Sequence, residues 1–198
     1  MTHDDVEIDR LVAQAKAGDA EAFGRLFDHY GEPVYRYIAS RVHRPSDAED
    51  LTQTVFVKAL EALPRYEARG IPFGGWLFRL ARNAVIDHVR TRHQHGDIGA
   101  LAERSTGDPG PDELVVTRQQ IEAVSAALET LTDEQRDAIA LRFFAGLSAR
   151  EAAEAMGKQE GTIRGLQFRA IAALRRRLHL DETDEVDVAD AGTGERPT

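Results

Sequence analysis

Between Leu147 and Leu178 the chain reads LSAREAAEAMGKQEGTIRGLQFRAIAALRRRL, and few local structures accommodate such a stretch. Ser148 followed by Glu151 is a capping box, in which each side chain satisfies a free backbone N–H of a helix's first turn. Alanines and Met156 then give a short helix with a small-residue face. Gly157 can enter the left-handed region and stop it. A second helix, starting near Glu160 or Gly161, carries Ile163, Leu166, Ala170 and Leu174 at three- and four-residue spacing. Its other faces hold Arg164, Gln167, Phe168 and Arg169, and it ends in Arg175, Arg176 and Arg177. Short helix, glycine turn and longer basic amphipathic helix make a helix-turn-helix, whose second helix lies in the major groove of DNA. The same spacing suits an ordinary helical hairpin, whose terminal arginines merely complement the helix dipole. The rest of the chain has to decide.

Charge looks adverse at first, because the 198 residues carry a net −9. After Leu180, however, seven acids face the single base Arg196, so this tail holds −6 of the total and the remainder only −3. From Arg150 to Leu180 seven bases stand against Glu151, Glu154 and Glu160, a local +4. A binding face needs only local positive potential. There is no cysteine, which excludes a disulfide framework and thiolate metal sites and points to a reducing cytoplasm. The acidic start MTHDDVEIDR is not a signal peptide, and no apolar run is long enough to span a bilayer.

No period-2 strand pattern occurs, so the expected fold class is all-α. Ile8, Leu11, Val12 and Ala15 make a short amphipathic helix closed by Gly18. Asp19 caps the next, with Ala22, Phe23, Leu26, Phe27 and Tyr30 on its apolar face. Pro33 marks a restart or kink, after which Val34, Tyr35, Ile38 and Val42 carry the pattern to His43. Ser46 with Glu49 reads as a second capping box, opening a helix with Leu51, Val55, Ala59 and Ala62 as its stripe, broadened by Phe56, Leu60 and Leu63. Pro64 ends it. After a loop containing Gly70, a helix from about Gly74 or Gly75 to Arg92 turns Leu77, Leu80, Ala81, Ala84 and Val85 to a core. Arg79, Arg82, Asn83, Ile86 and Arg90 line another side. Basic groups beside Phe73 and Trp76 suit single-stranded nucleic acid, with charge neutralised while bases stack or flip. The competing reading makes both aromatics core anchors and the arginines a solvated face. Thr132 with Gln135 is a third capping box, starting a helix with Ala138, Ile139, Leu141 and Phe144. Poor apolar periodicity and abundant Gly, Pro, Asp and Ser mark a linker. The expected organisation is an N-terminal helical domain (1–93), a flexible linker (94–111), a helical domain ending in the helix-turn-helix (112–180, its first helix capped by Asp112) and a disordered acidic tail (181–198).

Two such domains in this order resemble an extracytoplasmic-function sigma factor of the sigma-70 family, a small promoter-recognition subunit of bacterial RNA polymerase. The matching segments are DAEDLTQTVF (Asp47–Phe56), WLFRLARNAVIDHVR (Trp76–Arg90) and LTDEQRDAIALRFFAGLSAREAAEAMG (Leu131–Gly157) followed by EGT (Glu160–Thr162). The resemblance as a whole covers essentially all of Ile8 to Leu178 except the linker. The resemblance implies binding of core polymerase, at the clamp helices of its largest subunit and its flap region, through Asp47, Asp50 and Gln53. It implies capture of a melted −10 element by Phe73, Trp76, Arg79, Arg82, Asn83 and Arg90. The −35 element falls to Thr162, Arg164, Gln167, Phe168, Arg169 and Arg176. The linker would thread toward the polymerase active site and RNA-exit channel. An anti-sigma protein is a partner expected at family level, and no cofactor is implied.

Three departures from the family pattern bear on readout. Gln159 stands where many members have a capping Ser. Leu166 and Gln167 exchange the usual polar and apolar order, so the helix is expected to pack on Leu166 and expose Gln167, which can pair with adenine. Lys158 replaces a common apolar residue. No catalytic set is present; the His93-x-His95 pair lacks a cysteine or placed carboxylate to complete a metal site. A competing class is a helix-turn-helix regulator with an N-terminal sensory domain, which would not need both the Asp50/Gln53 face and the Arg79/Asn83 stripe. A third, a helical scaffold without a DNA role, does not need the arginine spacing.

Overall fold

The computed structural model describes residues 3–42, 44–68, 71–94 and 126–178. The expected linker and first helix of the second half fall largely outside them, as do His43, Gly70, His95 and the acidic tail. Among the described residues the structure is all-α, with no strand.

Helix α1 (His3–Lys16) buries Ile8, Leu11, Val12 and Ala15, the four positions its periodicity picks out, and Gly18 turns the chain at φ 94°. Asp19 caps α2 (Ala20–Ala39), its carboxylate accepting from the N–H groups of Glu21 and Ala22 at 2.9 and 3.1 Å. Pro33 does not break this helix, which runs through it and stops at Ser40 rather than at His43. A proline inside a helix costs about 3 kcal/mol. Val34, Tyr37 and Ile38, just beyond it, are fully buried, and each contributes about 1.5–3 kcal/mol of burial. Packing therefore wins.

The start of α3 (Pro45–Ala62) also differs from expectation. Its cap residue is Arg44, without a side-chain cap bond, and Pro45 occupies the first turn, so Ser46 and Glu49 lie inside the helix and form no capping box. Proline's fixed φ and missing N–H suit the first helical position, and they move the start upstream of Ser46. Ala48, Thr52, Val55, Phe56 and Ala59 are its buried face, and a 3₁₀ turn over Leu63–Arg65 closes it at Pro64. Leu60, expected in the core stripe, is instead half exposed. Helix α4 (Phe73–Gln94) buries Leu77, Phe78, Ala81, Ala84 and Val85.

In the C-terminal half a helical turn over 126–129 precedes α5 (Asp133–Ile139), whose Thr132/Gln135 capping box is formed in both directions at 3.3 and 3.0 Å. The chain continues as a wide turn over Ala140–Phe144, closed by Ala145 N–H on the Ala140 carbonyl, before Gly146 reverses it at φ 74°. The helix-turn-helix follows as α6 (Ala149–Met156) and α7 (Glu160–Arg177). Ser148 and Glu151 cap α6 reciprocally, and Gly157 ends it at φ 64°, ψ 36°. Gln159 caps α7 without a side-chain bond.

The two halves do not stand apart. One buried cluster runs from Ile8 in α1 to Ile163 and Leu166 in α7, taking in residues of α2, α3, α4, α5 and α6. A satellite of Leu131, Ile139 and Ala170 belongs to the C-terminal half alone. The most extensive helix packing joins α4 to α6. Gly75 permits it: a Cβ there would lie 2.9 Å from the Cβ of Glu154, closer than two such atoms approach.

Candidate nucleic-acid and polymerase interfaces

Among the exposed residues of α3, Asp50, Gln53, Thr54, Val57 and Leu60 lie along one side as a continuous strip. Asp50 and Gln53 are exposed, as periodicity requires of positions off the Val55/Ala59 stripe. Val57 (56% exposed) and Leu60 (51%) extend the strip with apolar surface, and Phe27 of α2, half exposed and 4.7 Å edge-on from Phe56, lies on the adjoining helix. An apolar patch beside charged and amide groups is how protein-binding surfaces are built. The periodicity of α2 and α3 assigned Phe27 and Leu60 to the core, because it cannot tell which part of an apolar face a neighbouring helix reaches.

Asp47 behaves differently from Asp50. Its Oδ2 accepts from Arg92 Nη1 at 2.9 Å and lies 3.4 Å from His88 Nε2, both on α4, the latter too poorly aligned for a hydrogen bond. It braces α3 against α4 instead of standing open on the strip that holds Asp50 and Gln53.

The start of α4 is an aromatic cluster. Phe73, 2% exposed, packs at 5.5 Å from Tyr30, 5.8 Å from Tyr66 and 5.4 Å from Trp76. Here the core-anchor reading holds for Phe73, which positions the helix start and cannot itself touch a DNA strand in this arrangement. Trp76, half-buried with one face on Tyr66 at 4.9 Å, keeps part of its ring outward. Tyr66 donates its hydroxyl to the Ile71 carbonyl at 2.8 Å, bracing the loop, and burial with the nearby Asp9 charge pushes its phenol up to about 12.

The polar stripe of α4 is divided. Asn83 and Arg90 are exposed, the latter 3.0 Å from Asp87. Arg79 and Arg82 are held by the other half. Arg79 donates from Nε and Nη2 to the Glu154 carbonyl at 3.2 and 2.6 Å, at the C-terminal turn of α6, where the carbonyls carry the negative end of the dipole. Arg82 Nε donates to Asp137 Oδ2 at 2.8 Å. Asp137, 2% exposed, also takes Tyr37's hydroxyl on Oδ1 at 3.2 Å, with Arg41 Nε 3.1 Å from the same oxygen but out of hydrogen-bond alignment. Burial first, and then the Asp137 charge, drive the Tyr37 phenol far above its ordinary value, so it is a neutral donor. Neither Asp137 nor Tyr37 stands out as functional in sequence.

On α7, Ile163, Leu166 and Ala170 are buried, while Thr162, Arg164, Phe168 (75% exposed), Arg169 and Arg176 face outward. Arg164 pairs with Glu160 one turn earlier at 2.6 Å, an exposed contact worth about 0.3–0.5 kcal/mol that yields readily to a stronger acceptor. Leu166 packs inward as its exchange with Gln167 anticipates. Gln167, expected to be free, is half-buried and its Oε1 accepts from Arg142 Nε at 3.2 Å, while Arg142 Nη1 donates to the Leu147 carbonyl. A guanidinium from α5's extension reaches this side of α7, which spacing within one helix cannot foresee. Lys158 is half-buried and bridges to Glu134 at 2.7 Å, and that hydrogen bond and charge hold the Glu134 carboxyl below its usual value.

Residues 26–95 match the family model for sigma-70 region 2 and residues 127–176 that for sigma-70 region 4, so the two halves described above are the two regions of a sigma-70-type initiation factor. Among curated proteins, the ECF RNA polymerase sigma factor BldN of Streptomyces coelicolor is 38% identical over 88% of this chain and 67% of its own length. SigD of Mycobacterium tuberculosis is 34% identical over 88% of this chain and 85% of its own. Among solved structures, CnrH in complex with the cytosolic domain of CnrY superposes with a TM-score of 0.68 at 28% identity, covering 89% of this chain and 99% of that one. RpoE in complex with the anti-sigma factor NepR from Bartonella quintana gives 0.66 at 26%, covering 82% and 100%. The chain belongs to the extracytoplasmic-function sigma factors of the sigma-70 family. It binds core RNA polymerase and directs promoter-specific transcription initiation.

Proposed function

We propose that the work is divided by residue as follows. The α3 strip of Asp50 and Gln53, extended by Val57, Leu60 and Phe27, docks on the clamp helices of the polymerase's largest subunit. Apolar anchors there supply affinity and the polar pair supplies register. Trp76, Arg79, Arg82, Asn83 and Arg90 hold the separated −10 strand, the guanidiniums neutralising phosphates and the indole stacking a base. The C-terminal half reads the −35 element with the outward face of α7, near the polymerase flap. Arg164, close to the helix N-terminus that enters the groove, contacts base edges, and Arg176 meets phosphate. Gln167 reads a base only by releasing Arg142, so its contribution is smaller than that of Arg164. The segment between the halves threads toward the active-site channel.

The observation that carries this reading is the outward face of α7: a helix that buries Ile163, Leu166 and Ala170 presents Thr162, Arg164, Phe168 and Arg169 together to solvent. The chain performs no bond chemistry of its own; it contributes binding energy and strand separation, and the polymerase, in the cytoplasm, does the rest. An anti-sigma protein is a partner in keeping with CnrH and RpoE, both solved with partner proteins. Size exclusion of the purified chain with core polymerase, followed by run-off transcription from a −10/−35 library, tests the reading. Co-elution and sequence-selective initiation are expected. Failure to co-elute, with helicity intact, would overturn the polymerase assignment.

A further inference from the structure

Helix α1 ends before the residues that match sigma-70 region 2, which begin at 26, yet its last turn reaches the start of the −10 surface. Lys16 stands in that turn. A cation at a helix C-terminus is already favoured by the dipole and needs no further partner. The Lys16 ammonium nevertheless donates to the carbonyl of Tyr66, 50 residues along the chain. Burial of Ile8, Leu11, Val12 and Ala15 secures α1 to the N-terminal half, so the helix does not depend on this bond for its docking. Asp9, two turns earlier on the same face of α1, carries the charge that joins burial in raising the Tyr66 phenol. From two positions, then, α1 addresses one tyrosine.

That tyrosine is fixed at three points. Its backbone N–H donates to the Leu63 carbonyl at 3.0 Å, closing the 3₁₀ turn, and its own carbonyl accepts from Lys16. Its hydroxyl donates to the Ile71 carbonyl at 2.8 Å, two residues before α4 begins. The ring between these points is 6% exposed. Trp76 lies on it at 4.9 Å, and Phe73, 5.4 Å from the indole, forms a second wall. The indole is thereby held on one side and left half-buried, with the rest of its surface outward. An indole free to change rotamer would lose that freedom when a base stacks on it, and binding would be weaker for it. One that is already seated loses little.

We propose that Lys16 is a positioning residue for capture of the −10 strand: from α1 it holds Tyr66, and Tyr66 is the platform that sets the Trp76 indole to receive a base. This rests on the reading of Trp76 as the group that stacks a base. Lys16 itself touches neither strand, and its effect passes through Tyr66 alone. The strip that docks on polymerase lies on α3, away from the Lys16–Tyr66 bond, so loss of that bond changes strand capture and leaves core binding as it was.

Trp76 is the single tryptophan of the chain, so intrinsic fluorescence reports on this site alone. Lys16→Met keeps the apolar stem and removes the donor, and Tyr66→Phe keeps the ring and removes the bond to Ile71. The measurements are time-resolved fluorescence anisotropy of the free full-length chain and opening, by holoenzyme, of a promoter carrying 2-aminopurine in its −10 element. Circular dichroism and a titration with core polymerase are the controls. Both variants are expected to show lower anisotropy, unchanged helicity and core affinity, and promoter opening weakened about two- to tenfold, the penalty for ordering one side chain on binding. Lys16→Arg, which retains a donor, should rescue both anisotropy and opening; behaviour like that of Lys16→Met would overturn the proposal. Unchanged anisotropy in both Lys16→Met and Tyr66→Phe also overturns it, as does a parallel fall in core affinity, which would make Lys16 a general brace. Lower anisotropy with wild-type opening overturns it too, and Trp76→Leu locates that failure. Normal opening without the indole refutes the stacking reading, whereas impaired opening refutes the platform alone.

Discussion

Removing one oxygen, in Tyr37→Phe, tests the buried cluster with a signature that fades at alkaline pH. The ring is fully buried on α2 and its hydroxyl donates to Asp137 Oδ1 at 3.2 Å. Hydrogen bonds to charged groups are worth about 1.5–3 kcal/mol. This one is long, and Asp137 keeps Arg82 at 2.8 Å, so the lower end applies and the loss at pH 7 is about 1–1.5 kcal/mol. For a chain of this size that lowers Tm by about 2–6 °C. At alkaline pH the order converges. The folded-state phenol titrates far above the ordinary value of 10.0, so its contribution is fully present below about pH 10 and is lost as pH rises and the unfolded chain gives up its proton. By pH 11 the wild type has lost about 1.4 kcal/mol that the phenylalanine variant cannot lose, and the two should be nearly equal in stability. Denaturant melts followed by circular dichroism at pH 7, 10 and 11 provide the comparison. A difference that stays constant from pH 7 to pH 11 would show that Tyr37 ionises as readily folded as unfolded, and the buried-donor assignment would fall.

The other expectations are simpler. Asp50→Arg should weaken the complex with core polymerase about tenfold or more while leaving helicity unchanged, because the position is exposed and off the apolar stripe; a titration with labelled core measures it. Arg164→Ala should cost about 1–3 kcal/mol of −35 discrimination and relax preference at one or two base pairs, whereas Arg176→Ala should weaken all sequences alike and reduce the salt slope by about one. A binding library read at two salt concentrations separates the two, and uniform scaling by Arg164→Ala would mean a different docking of α7. Gly157→Ala meets no neighbouring atom, so its whole cost is the left-handed backbone, about 1–2 kcal/mol and a Tm lower by about 2–8 °C; an unchanged Tm would contradict the strained turn.

What lay in the sequence alone was local. Asp19, Thr132/Gln135 and Ser148/Glu151 cap their helices as read, because a cap is completed within three residues and needs no tertiary partner. Gly157 turns left-handed for the same reason, and Ile163, Leu166 and Ala170 point inward because one helix face needs burying. The two sigma regions were legible through three segments in fixed order. Where a competing local preference existed the cap reading failed, Pro45 displacing the Ser46 cap; at Pro33 the helix does not restart, because the burial beyond it carries α2 through.

Only the tertiary structure decided which faces meet. Phe27 and Leu60 obey helical periodicity and remain half exposed, Phe73 is a core anchor, Asp47 is a brace to α4, and Gln167 is held by Arg142. The pairing of Asp137 with residues 55 to 100 positions away has no trace in periodicity, since nothing within one helix specifies the groups that another brings to it. Arg79 and Arg82 lie on a stripe that the sequence marks as available to DNA, and the fold turns that stripe toward α5 and α6. A charged side chain's availability is set by what packs over it, and that depends on the joint fit of several helices, which no window of the chain contains.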